Sequence, residues 1–140
     1  MRANYTFLRL FSLVFLLSAT TTRIIFANSI QSVRDGNWNS TTTWVGGVIP
    51  TANDDVIITH NVTLDVAPTV ASLTLQGVRV NASHDGVLTG PYSITITGDL
   101  NVSNNPGSGV GLNNDGNVSV RGNFVWSGGV IVLLIYRILI

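Results

Sequence analysis

Cysteine is missing from this 140-residue chain, and so are lysine and glutamate: all seven basic residues are Arg and all seven acids are Asp. Without cysteine there is no disulfide framework, so stability has to come from burial and backbone hydrogen bonding. Without Lys and Glu the chain lacks two strong helix formers, while the abundant Val, Thr, Ile, Asn and Gly favour strands and turns. The formal net charge is zero and no basic cluster occurs. Nucleic acid and anionic membranes both need a focused positive field, so neither is expected as a partner. What remains is the alphabet of an all-β protein of about one domain.

Long apolar runs are confined to the two ends. Near the start, Arg2 and Arg9 flank a polar beginning, "LRLFSLVFLLSA" follows, and small residues come next. This is the pattern of a secretory signal, too short for the roughly 20 residues of a membrane span. Cleavage is expected after Ala27, with Ala19 as the competing site, so residues 1–27 are read as a signal peptide. At the other end, residues 130–140 read "VIVLLIYRILI". Eleven residues are again too few to span. Either they lie as a strand across an open end, or they mark a truncated or frame-shifted piece of a longer protein; an exposed apolar edge is an aggregation hazard, which favours the second.

Residues 28–129 contain a repeated form. Four places carry an apolar-x-apolar triplet, a short turn and a second triplet: Val56/Ile58 with Val62/Leu64, Leu73/Leu75 with Val78/Val80, Ile94/Ile96 with Leu100/Val102, and Val118/Val120 with Phe124/Trp126. Gly77, Gly98 and Gly122 each sit two residues after a first triplet. Side chains in a strand alternate faces, so each triplet points two apolar residues inward and the middle one outward. A β-sandwich would prefer tight Asn-Gly or Asp-Gly hairpins between such runs. Glycine-marked corners fit a coil instead, and the expected fold is a right-handed parallel β-helix (β-solenoid) with an N-terminal cap. Stacking is expected to align Leu73, Ile94 and Val118 in one interior column and Leu75, Ile96 and Val120 in the next, with "SNNPGSGVGLNNDGN" as a loop at one corner.

The segment before the first triplet is "WNSTTTWVGGVIPTANDDVIITHNVTLDV". Through Trp44, Gly47, Pro50, Asp54, Asp55, Val56, Ile58, Val62, Leu64 and Asp65 it resembles the start of the eight-glycine domain family, over about residues 36 to 102. That family is an extracellular β-rich domain at the head of β-helical regions in cell-surface and secreted proteins. The resemblance implies a secreted or cell-surface structural or adhesion module, with a polysaccharide or another surface protein as partner.

On physical grounds the same residues read as a cap, because a stack of coils has an open core and unpaired edges at its end. Trp38 and Trp44 are large enough to plug it. Gly46, Gly47 and Pro50 would fold the chain across it, and Asp54 or Asp55 would accept backbone N–H bonds at the entry to the first coil. The competing role for Trp38 and Trp44 is a stacking platform for sugar rings.

Catalysis is not expected, nor is any cofactor or metal. Asp54 and Asp55 are adjacent and point apart, Asp99 falls in register with Asn123, and Asp65, Asp85 and Asp115 sit at other phases, so no acid pair emerges at hydrolytic spacing. His60 and His84 lie in turn-like contexts, His84 with Asp85 is too small a set for a metal, and Asp115 lacks the spaced acids of a calcium loop. Six Asn-x-Ser/Thr sequons, at Asn4, Asn39, Asn61, Asn81, Asn101 and Asn117, are what chance supplies in so Asn-, Ser- and Thr-rich a chain. The alternative is the N-terminal fragment of a secreted polysaccharide lyase or hydrolase whose active site lies elsewhere.

Overall fold

The computed structural model describes residues 27–77, 85–103, 109–128 and 130–131, the last two by backbone alone. Most of the signal segment, Val78 and Val80, His84 and the tail past Ile131 lie outside the described residues.

Thirteen short strands follow one another: β1 (Ser29–Gln31), β2 (Gly36–Asn37), β3 (Asp55–Ile58), β4 (Val62–Thr63), β5 (Thr69–Val70), β6 (Ser72–Gln76) and β7 (Val87–Gly90). They continue with β8 (Ile94–Ile96), β9 (Leu100–Ser103), β10 (Gly111–Asn114), β11 (Val118–Val120), β12 (Phe124–Trp126) and β13 (Val130–Ile131). Every strand pairing among them is parallel. That excludes a hairpin-linked sandwich, whose neighbouring strands would run antiparallel. The chain is a β-solenoid of about four turns with almost no helix. Among the described residues no helix is long and apolar enough to cross a membrane.

The solenoid has three faces. The first is the sheet β1-β3-β6-β9-β12, the second β2-β4-β7-β10-β13 and the third β5-β8-β11. Two-residue alternation sorts each strand: in β3, Val56 and Ile58 are buried while Asp55 and Ile57 are half-buried on the outside. Ile30, Val56, Leu73 and Leu100 form one inward column of the first face, and Ile58, Leu75 and Val102 the next. On the third face Val70, Ile96 and Val120 align. The second face contributes Val62, Leu88 and Leu112. Each fully buried aliphatic side chain contributes about 1.5–3 kcal/mol relative to exposure. A continuous column also leaves no layer of the core open to water.

These registers correct the expected columns. Ile94 and Ile96 do stack on Val118 and Val120, but Leu73 and Leu75 stack on Leu100 and Val102 of a different face. Each full coil holds three strands, so the step from Val56 to Leu73 is already one complete turn, and that from Leu73 to Leu100 is the next. A second correction concerns "SNNPGSGVGLNNDGN". Its residues Gly111–Asn114 are β10, a second-face strand paired with β7, with Leu112 buried, while residues 104–108 lie outside the described residues.

Corners between the third and first faces are set by stacked glycines. The Gly98 N–H donates to the Ala71 carbonyl oxygen (2.7 Å) and the Gly122 N–H to the Gly98 carbonyl oxygen (2.9 Å). A Cβ on Gly98 would come within 2.7 Å of the Ala71 oxygen, and one on Gly122 within 2.5 Å of Gly98 backbone. Coils approach here more closely than any side chain allows, so the triplet-glycine spacing has a steric cause.

Candidate functional site

The first coil has no third-face strand, and residues 38–54 take its place. The chain leaves β2 with the Trp38 N–H donating to the Thr63 carbonyl oxygen (2.8 Å), passes through a 3-10 turn at Thr41–Thr43 and returns so that Trp44 bridges Ser32 antiparallel. Trp38 and Trp44 pack edge to face, centroids 5.0 Å apart and planes at 71°, and the Trp44 indole N–H donates to the Trp38 carbonyl oxygen (2.7 Å). Gly46 and Gly47 follow at φ 70° and 68°, a left-handed backbone that residues with a Cβ rarely adopt, and Pro50 is buried. Asp54, also buried, accepts both the Thr51 N–H (2.8 Å) and the Thr51 hydroxyl (2.6 Å) through Oδ2, closing the turn into β3. Asp55 instead points out and accepts from the Ser72 hydroxyl one coil on.

Trp38 is 1 % and Trp44 2 % exposed. A sugar stacks on an open ring face, and neither indole has one, so the stacking-platform role is withdrawn for both. Their polar edge is satisfied within the cap and their area is spent on the core.

The outward carboxylates are engaged in stitching coils together. Asp35 accepts the Asn61 N–H (2.8 Å), Asp65 the Asn39 N–H (2.9 Å) and Asp99 the Asn123 N–H (2.7 Å). Each is an Asp of one coil satisfying a turn amide of a neighbouring coil, a charge-assisted bond to a donor that the sheets leave unpaired. The registers also correct the expectation that no two acids share a face. Asp55 pairs with Ser72, and the Leu73–Leu100 register sets Ser72 beside Asp99, so Asp55 and Asp99 lie in one outward column two rungs apart. At the spacing of parallel strands that is roughly 10 Å between Cα atoms.

His60 is not a free turn residue. It is half-buried at a corner, with Nδ1 3.1 Å from the Ser32 carbonyl oxygen, 3.2 Å from Ser32 Oγ and 3.0 Å from Thr59 Oγ1. A carbonyl can only accept, so Nδ1 carries the hydrogen and donates. Ser32 is buried and its hydroxyl already accepts the Thr59 N–H (2.9 Å), so this Ser–His contact offers no nucleophile to a substrate. Among the described residues no three His or Asp side chains gather as metal ligands.

Comparison of the chain with protein-family models, with curated proteins and with solved structures finds no match.

Two outward ladders went unread in the sequence. Asn37, Thr63, Thr89 and Asn113 align on the second face, with the Thr63 and Thr89 hydroxyls 3.3 Å apart. Thr69, Thr95 and Ser119 align on the third. The middle residue of each triplet was the available signal, but only the register shows which middles are neighbours.

Proposed function

We propose that this is a non-catalytic module of the extracellular or cell-surface type, related to the eight-glycine domains, whose outer faces hold a polysaccharide or a surface protein. The observation that carries the polysaccharide reading is the pair of outward hydroxyl and amide ladders. Their groups recur once per rung, about every 4.8 Å, and a polymer of repeating hydroxylated units can match a repeating row of small donors and acceptors. The acids support the non-catalytic part, because each acid of the outward stitches serves a neighbouring coil rather than an open cleft.

Export is tested first. Protein recovered from the medium is expected to begin at Asn28 on N-terminal sequencing, and intact Met1 protein retained in membranes would contradict the signal reading. Binding is then tested by affinity electrophoresis against neutral and acidic polysaccharides. Retardation by at least one is expected, weakened by Thr63→Val with Thr89→Val and unchanged by Trp44→Phe. Equal mobility in every gel would leave the surface-protein partner.

A polysaccharide hydrolase is the second reading, and the Asp55–Asp99 column favours it. Inverting hydrolases hold two carboxyl groups about 6.5–9.5 Å apart, near the separation that two rungs provide. Release of reducing ends that disappears in both Asp55→Asn and Asp99→Asn would establish it. We expect none, and no unsaturated sugars.

A further inference from the structure

The two ends of the solenoid differ. At the start, Trp38 and Trp44 are buried beside Ile30, Val62 and Leu64. At the other end β12 is the outer strand of the first-face sheet, paired with β9 on one side and with no described strand on the other. Phe124 and Trp126 continue the columns of Leu100 and Val102, which are buried, yet they are 44 % and 57 % exposed, with Val125 between them at 50 %. Inward positions that are dry one rung earlier are wet here. An exposed apolar strand edge is a template for pairing with another strand.

The sequence of that edge is complementary to itself. "NFVWS", residues 123–127, reads polar, aromatic, valine, aromatic, polar in both directions. If two copies pair antiparallel about a two-fold axis through Val125, each Phe124 faces the other copy's Trp126 and each Asn123 faces Ser127. Aromatic cross-strand pairs are favourable, and no like charges meet. The nearest charge, Arg121, lies at the outer end of the pairing; two of them would be separated by eight residues of strand, roughly 27 Å. Head-to-tail stacking has no such partner, since the opposite end of the solenoid already carries its cap, and an isologous contact closes on itself.

From this geometry we infer that the Phe124–Trp126 edge is a homodimerisation surface, joining two first-face sheets into one continuous sheet across the two-fold at Val125. The inference stands apart from the proposed ligand and survives its failure.

The missing cysteines make the test clean, because any thiol introduced is the only one in the chain. The full chain should sediment as a dimer, and Val125→Cys should oxidise to a covalent dimer. Directly opposed residues of antiparallel strands have Cα atoms about 4.5–5.5 Å apart, inside the disulfide range of about 4.4–6.8 Å. Phe124→Cys, offset from its own copy by two residues, should cross-link far more slowly. Val125→Lys sets two like charges face to face on a side chain outside the core, and should weaken the dimer by about tenfold or more with an unchanged circular-dichroism spectrum. A monomer at every concentration would overturn the inference and make residues 132–140 or a different protein the occupant of this edge. Polymers that lengthen with concentration would overturn the closed two-fold, and equal cross-linking of the two cysteine variants would overturn the register.

Discussion

Ile96→Asp should leave no folded population at neutral pH. Ile96 is fully buried on the third face, pressed between Val70 on the preceding coil and Val120 on the following one. A carboxylate there has no cation and no spare donor among its apolar neighbours, so it either stays charged and unpaired or takes up a proton at a large free-energy penalty. Losses above about 4–5 kcal/mol come from just such burial, and domains of this size have only about 5–15 kcal/mol in total. Position matters as well: β8 lies in the middle of the third sheet, so damage there separates the coils on both sides. Thr95→Asp, one residue away, is the control. Thr95 faces outward between Thr69 and Ser119, with no acid among its partners in the ladder, and the substitution should cost under about 1 kcal/mol. Far-ultraviolet circular dichroism and urea unfolding separate the two; equal loss of β signal in both would refute the inward assignment.

Trp44→Ala should destabilise by about 3–5 kcal/mol, the usual range for removing a buried large aromatic side chain. It would take away the edge-to-face partner of Trp38 and the indole N–H that satisfies the Trp38 carbonyl. Trp44→Phe keeps most of the ring area but orphans that carbonyl, for an expected loss of about 1–3 kcal/mol. The pattern of the loss distinguishes a cap from an ordinary core residue. In a stack where each coil touches only its neighbours, opening the cap should fray the first coil before the rest. Hydrogen exchange is therefore expected to accelerate across β1 and β2 in Trp44→Ala while the amides of β8 and β9 stay protected. Uniform acceleration throughout would mean that the tryptophans belong to one global cooperative unit, not to a separable end.

The same contrast separates what was legible in the chain from what was not. Alternation is a local property of extended backbone, so the inward faces of Val56 and Ile58, of Leu73 and Leu75, and of Ile94 and Ile96 could be read directly, as could the all-β character of a chain without Lys or Glu. The glycine corners at Gly98 and Gly122 were also legible, because close backbone approach tolerates no other residue. Stacking is not local. Which rung lies above which depends on coil lengths that run from 17 residues, between Val56 and Leu73, to 27, between Leu73 and Leu100. Nothing in the alternation of a single strand encodes those lengths. For that reason the assignment of Leu73 and Leu75 to the first face, the strand hidden in Gly111–Asn114, the shared column of Asp55 and Asp99 and the exposure of Phe124 and Trp126 were decided by the tertiary structure alone. A side chain's face follows from its own strand, whereas its neighbours and its burial follow from the coil above and the coil below.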